Sequence, residues 1–518
     1  MKVTTINLAD TKQFSSFFLD YLSQKPALQP FYNLFPTLDN FEQQIKNRKA
    51  GKVQREKLHK VISEQYAGLS PYPAEQIDLL LDEKTFTVTT GHQLNIFSGP
   101  LYVPYKLVTT INLAKALKEK YPEYNFVPVY WMATEDHDYE EINHFYLFGK
   151  KYTWETSQSG AVGKMHIKEM ETVISELPEK LSLFEKAYLE QPNLADATRC
   201  WANSLFGEQG LLCLDADHPD LKAQFKAIIR QDIFDQLTFQ TVTATSDKLT
   251  KADYEPQVNP RNINFFYLED GVRERIVENN NRFEVLNTNL SFTKEELDNL
   301  IKTHPEKFSP NVLLRPVYQE IILPNLAYIG GPSELIYWLQ LKDLFTRLEV
   351  EFPILLPRNF ALVVSKANMK KLNKLNLTID NLFLDENALK RKFVEQSIAL
   401  PVETTEERKL IEQAFELLVK KALELDKTLE GFVGAEKQKT LNSLENIAKR
   451  LKKAEEKSQE TGINQLLNLK SKLFPDGDLQ ERVDNFLNFY LNDPQFLELL
   501  LETFDPLDFR FQIFADNE

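Results

Sequence analysis

Residues 84–117 read KTFTVTTGHQLNIFSGPLYVPYKLVTTINLAKAL, and the order of residue types in that stretch decides the fold. β-Branched residues crowd 84–90, Gly91 breaks the run, and Ser98-Gly99-Pro100 opens a segment with Val103, Leu107, Ile111, Ala114 and Leu117 at helical spacing. The next stretch, NFVPVYWMATEDHD at 125–138, begins with an apolar run of the kind that fills a strand covered on both faces, and it stops abruptly in acid and histidine. Strand, helix and strand make a βαβ unit.

Working outward, the same order recurs at 210–214 (GLLCL), which runs into Asp215, Asp217 and His218 before a helical stretch near Pro219. Residues 326–329 meet Gly330-Gly331-Pro332-Ser333-Glu334 and a helix, and 352–356 (FPILL) meet Pro357-Arg358. Five strands alternating with helices predict an α/β fold with a Rossmann-like, doubly wound parallel sheet, whose ligand sits at the carboxyl ends of the strands. All five polar clusters fall on that edge.

Two stretches, about 150–195 and 236–308, break the alternation and are expected as insertions into a core spanning 1–365. Over 366–475, steps of four and three through Ile411, Phe415, Leu418, Ala422, Leu425 and Leu429, and again through Leu441, Leu444, Ala448 and Leu451, predict an α-helical coiled-coil arm. Gly431 and Gly434 between the seams favour an antiparallel hairpin. The tail, 476–518, is rich in Phe and Leu and is expected to pack back on core or arm.

Composition narrows the function. The 518 residues are 42% hydrophobic and 26% charged, and 61 Lys plus Arg stand against 76 Asp plus Glu. A net charge of -15 argues against a bulk electrostatic grip on nucleic acid or an anionic membrane. Cys200 and Cys213 are too few for a disulfide framework or a four-cysteine zinc site, are expected as small apolar residues, and suit a cytoplasmic protein. Neither a phosphate loop of the G-x-x-x-x-G-K-[ST] type nor a G-x-G-x-x-G fingerprint occurs.

The strand-end clusters supply the candidate residues. His92 and Gln93 could hydrogen-bond a phosphoryl oxygen as charge builds on it, while Gly91, Ser98 and Gly99 are candidates for holding a nucleotide phosphate at a helix start. The alternative is that Ser98 only caps the helix, Gly91 only turns the chain and His92 is a satisfied polar side chain. Glu135, Asp136, His137 and Asp138 could bind a substrate ammonium group, supply a general base or hold a cation, or could form a solvated loop capped by Asp138. His144, one heptad after His137, could pair with it on one helix face, yet no third metal ligand stands at supporting spacing. Gly330, Gly331 and Glu334 repeat the anion-friendly turn, with Glu334 either capping the helix or bonding a ribose hydroxyl or amine. Asn311, Arg315 and Arg358 could meet carboxylate or phosphate groups, or serve only in structural pairs.

The ordered set TGHQLNIFSGPLYVPYK (90–106), VPVYWMATEDHDYEEINH (127–144), AYIGGPSELIYW (327–338) and ILLPRNFALV (354–363) resembles the bacillithiol biosynthesis cysteine-adding enzyme family, over nearly the whole chain. The resemblance implies a core related to class I aminoacyl-tRNA synthetases with inserted connecting segments, a coiled-coil arm and a homodimer. It also implies a ligase that joins L-cysteine to the amine of glucosaminyl malate, with ATP or ADP as the suspected nucleotide. Within it, His92 and Gln93 match the place of the synthetase-like histidine motif, and Ser98, Gly99, Pro100 and Tyr102 match the helix-opening segment. Ser365-Lys366 is the nearest counterpart of the synthetase lysine-serine signature. Related cysteine ligases hold the thiol on a zinc bound by Cys and His, which two cysteines do not reproduce, so no metal is expected.

The expected ligase uses Glu135 or Asp136 to engage the amine, a carboxylate or His137 as general base, and Arg315 and Arg358 for the malate carboxylates. Asn95, Tyr102, Lys106, Asp138 and Asn311 complete the expected substrate site. Two other classes stay open: a nucleotide-sugar glycosyltransferase, which needs a second βαβ lobe near 236–308, and a noncatalytic coiled-coil scaffold with a vestigial core.

Overall fold

In a computed structural model the chain is described over residues 1–397, 403–458 and 460–516; residues 398–402, 459, 517 and 518, which fall within the expected arm and tail, lie outside the described residues. Two compact units emerge, one built from Val3–Leu362 with Asp478–Ile513 and the other chiefly from Val363–Gly477.

The first unit is organised by five parallel strands, β1 Thr85–His92, β2 Asn125–Met132, β3 Leu212–Asp215, β4 Asn325–Gly330 and β5 Ile354–Pro357. Their order across the sheet is β5-β4-β1-β2-β3. This is the doubly wound order, in which the chain leaves the centre first in one direction and then in the other. The topological switch point therefore lies between β1 and β4, which pair in parallel with Thr90 beside Ile329.

β1 runs further than the sequence predicts. Gly91 and His92 still pair with Trp131 and Met132 of β2, so Gly91 does not end the strand. A Cβ at Gly91 would lie 3.1 Å from Nη1 of Arg315, and the glycine serves a close approach rather than a turn. Ser98 does not open the helix either: it closes a 3-10 turn, Ile96–Ser98, and the first crossover helix, α1, spans Tyr102–Lys120 with no side-chain cap. On one face of the sheet Phe86 and Val88 of β1 and Ile329 of β4 pack with Leu113, Ala114 and Leu117 of α1. Each buried Phe, Val, Ile or Leu among them contributes roughly 1.5–3 kcal/mol.

Both expected insertions depart from the sheet. The earlier one carries an antiparallel pair, His144–Leu147 with Lys150–Thr153, and short helices. His144 thus begins a strand after a one-turn helix, Tyr139–Ile142, and does not share a helix face with His137. The later one is a helix, Leu237–Lys251, followed by a five-stranded sheet in which every pairing is antiparallel. A meander replaces the second βαβ lobe that a glycosyltransferase would need.

Within the same unit α2 (Arg315–Ile322) precedes β4, and α3 (Pro332–Leu339) follows it. The tail returns to this core: Asn485 donates to the carbonyls of Phe97 and Gly99 at 2.8 and 2.7 Å, and Asn112 donates to those of Leu501 and Phe504.

The second unit is helical. α4 (Thr405–Leu425) and α5 (Leu429–Ser458) form an antiparallel hairpin, with Arg408 reaching Glu445 at 3.5 Å. The break falls at 426–428, where Asp426 accepts from the amide and hydroxyl of Thr428, and not at the two glycines. Gly431 and Gly434 lie inside α5, where an added Cβ would meet no neighbouring side chain within 4 Å among the described residues, and Leu429 belongs to α5 rather than to the first seam. Each interior glycine costs roughly 1 kcal/mol, which a 30-residue helix tolerates. Ser365 caps the helix Lys366–Lys374 through the amide of Asn368. No helix of the described residues is long and apolar enough to cross a membrane.

Candidate active site

A cleft of about 920 Å³ opens at the switch point of the first unit, above the carboxyl ends of β1, β2 and β4. Its lining includes His92 and Gln93 from the end of β1, Glu135 to Asp138 from the loop after β2, and Gly331 and Glu334 from the start of α3. Gly91, Tyr102, Lys106, Asn311, Arg315 and Arg358 also line it. Asn95, Ser98, Gly99 and Gly330 do not. Asn95 instead donates to the carbonyl of Glu141, and Ser98 is fully buried.

The β1 and β2 ends are joined directly. Gln93 Nε2 donates to Asp136 Oδ2 at 2.9 Å, and Asp136 Oδ1 accepts from the amide of His137 at 2.8 Å. The first insertion holds the loop from behind: the amides of Val162 and Gly163 donate to the carbonyls of Asp136 and Thr134. A Cβ at Gly163 would meet Thr134 at 2.6 Å, so only glycine allows that approach.

Glu135 faces a different environment from Asp136. Burial and the neighbouring Asp217 push its carboxyl up to about 7, while Lys222 opposes them. Lys222, fully buried, donates to that carboxylate and to the carbonyl of Phe308. The charge of Glu135 is thus met inside the protein by Lys222, whereas Asp136, whose side chain is 25% exposed, faces the cleft beside Arg273.

At the start of α3 the chain fills its own anion site. Glu334 Oε2 accepts from the Gly331 amide at 2.7 Å, Oε1 accepts from the Tyr328 hydroxyl, and Lys106 lies 2.5 Å from Oε2. Burial alone would raise Glu334, but Lys106 and the amide hold it at about 2. A carboxylate thus occupies the position expected for phosphate at Gly330-Gly331, and Glu334 caps the helix. Lys106 is committed to this pair and to the Gly91 carbonyl.

His92 packs edge-on against Tyr102, with ring centroids 5.2 Å apart. Burial and nearby Lys106 depress its imidazole to about 3, so it is neutral at physiological pH.

The two expected arginines part company. Arg358 pairs with Glu481 at 2.6 Å, both being almost wholly buried, and its cation lies over the rings of Tyr102 and Phe360. It is part of the framework. Arg315 donates to Gln319 at 3.0 Å and lies over the Tyr328 ring, yet makes no ion pair among the described residues. Arg261 and Arg482 of the lining likewise have no acidic partner among the described residues.

Asp136, His137 and Asp138 bring possible ligand atoms within 4.8 Å of one another, as a cation site would. Arg273 already brings a positive charge there, 3.5 Å from Asp136 and hydrogen-bonded to His137 Nδ1, so the cluster does not fit a metal as it stands. Sequence reasoning missed Arg273, Lys222, Arg482 and Tyr328. Arg273 comes from the second insertion, in the strand Val272–Asn279, and no motif linked VRER to the DHD loop. Cys200 and Cys213 are buried and free, with burial pushing Cys213 up to about 12, far from thiolate chemistry.

Comparison with known proteins gives this geometry a lineage. Residues 1–359 match the family model described as "Bacillithiol biosynthesis BshC, N-terminal Rossmann-like domain", and residues 361–515 match the corresponding "C-terminal coiled-coil domain". Proteins named "Putative cysteine ligase BshC" from Flavobacterium johnsoniae and Flavobacterium psychrophilum are each 42% identical to the chain, covering 99% of it and 99% of their own length. The one from Cytophaga hutchinsonii is 41% identical over 99% of the chain and 98% of its own. The chain belongs to the bacillithiol biosynthesis BshC family.

Proposed function

From that membership, we propose that the chain is a ligase that completes bacillithiol by joining the carboxyl group of L-cysteine to the amine of glucosaminyl malate. The observation that carries the reading is the convergence of Gln93, Asp136 and the unpaired Arg315 on one cleft at the switch point. Amide formation needs an activated carboxyl group and an unprotonated amine. ATP is the activating nucleotide in this reading. Asp136, oriented by Gln93 and by the His137 amide, takes the amine proton as nitrogen attacks the cysteine carbonyl and the activating group departs. Neutral His92 bonds to a phosphoryl or carbonyl oxygen, and Arg315 meets the carboxylates of the malyl group.

The reading places the enzyme in the cytoplasm and pairs it with a second copy. On α4 and α5, Leu417, Leu418, Leu425 and Phe432 are exposed, which favours the arm as the surface that a second copy covers. Low-molecular-weight thiols of a deletion strain test the function. Bacillithiol should vanish and glucosaminyl malate accumulate; persistence of bacillithiol without accumulation would overturn the assignment.

A further inference from the structure

Arg273 is a cleft cation that arrives from the second insertion and touches the DHD loop. Its guanidinium is nearly buried, with the side chain 8% exposed, and every contact it makes is directional. Nε donates to the Ser309 hydroxyl at 3.1 Å, Nη2 approaches the Pro310 carbonyl at 3.4 Å, and Cζ lies 4.1 Å from the centroid of the Phe266 ring. Nη1 is left with two neighbours, Asp136 Oδ1 and His137 Nδ1.

The second neighbour decides a proton. Arginine has donors only and stays charged, so the bond between Nη1 and Nδ1 forces Nδ1 to accept. An imidazole that accepts at Nδ1 carries its proton at Nε2 and is neutral. Phe266, with its ring centroid 5.6 Å from that of His137, supports the imidazole from the side.

We propose that Arg273 is a positioning residue that fixes His137 as the Nε2–H tautomer, making His137 a hydrogen-bond donor in the cleft and leaving Asp136 to accept the proton. The inference rests on the proposed ligation for its consequence, though not for the tautomer itself. It reassigns His137: a ring with Nδ1 occupied and Nε2 protonated has no lone pair with which to take the amine proton. Its Nε2–H suits an anionic oxygen of the activated carboxyl group instead. Pairing of Leu268 with Arg273 in the antiparallel sheet fixes the backbone from which the guanidinium reaches the loop.

The test uses the full-length chain labelled with 15N-histidine, read by long-range 1H–15N NMR, with H137Q identifying the His137 signals. The wild type should show His137 as Nε2–H at neutral pH, and R273M should shift it toward a mixture containing Nδ1–H. R273M should also slow ligation about tenfold to a hundredfold, with R273K recovering part of the loss. An Nδ1–H ring in the wild type, or an unchanged tautomer in folded R273M, overturns the proposal. If R273M does not fold, the wild-type spectrum decides. A wild type with the Nε2–H ring but no ligation would instead fail the functional reading and leave the tautomer assignment standing.

Discussion

Gln93 Nε2 and Asp136 Oδ2 lie 2.9 Å apart, and this hydrogen bond ties the loop after β1 to the loop after β2 across the mouth of the cleft. Gln93 orients one carboxylate oxygen by a neutral donor, while the other lies 3.5 Å from the Arg273 guanidinium. Replacing Gln93 with Leu should lower the ligation rate about tenfold at a stability cost near 1 kcal/mol. Initial rates alongside a urea melt would check this, and equal losses in rate and folded fraction would make the bond merely structural.

His92 is held at about 3, against about 6.5 for a histidine in the unfolded chain. The sign follows from proton binding: below pH 6.5 the unfolded state takes up a proton that the folded state refuses, so stability is full above that pH and is lost as pH falls toward 3. At pH 5 the wild type should have lost about 1–2 kcal/mol that His92→Gln retains. Because the imidazole is neutral at pH 7, this variant should turn over within about threefold of the wild type. Chemical melts at pH 7 and pH 5, with rates at pH 7, measure both.

Arg315 and Arg358 should separate cleanly. Arg315→Gln removes a cation without an acidic partner and should raise the KM for glucosaminyl malate roughly tenfold or more while the fold persists. Arg358→Gln strands the buried Glu481 and should cost about 3–5 kcal/mol. Steady-state kinetics and unfolding curves for the pair discriminate ligand binding from framework.

Much of this was legible in local sequence. The strand-to-helix alternation placed all five strands of the sheet within a few residues, and residues from four of the five polar clusters line one cleft, whereas Asp215, Asp217 and His218 do not. What misled was punctuation. Gly91 and Ser98 look like a turn and a cap, yet one admits a guanidinium and the other is buried in a 3-10 turn, because tertiary packing overrules local preference. Arginine partners were equally hidden: Glu481 stands 123 residues from Arg358, and Arg273 reaches His137 over a separation of 136. No periodicity encodes a contact at such distance. Lys106 shows the same limit, since its pairing with Glu334 turns an expected phosphate site into a filled one.

Asp136→Asn gives the most direct measurement. Purified wild type and variant are incubated with ATP, L-cysteine and glucosaminyl malate, and bacillithiol is followed by mass spectrometry while thermal melting monitors the fold. Wild type should form the product, and Asp136→Asn should form it at least about a hundredfold more slowly with its melting curve unchanged. Equal rates for the two proteins, or no product from the wild type, would contradict the account.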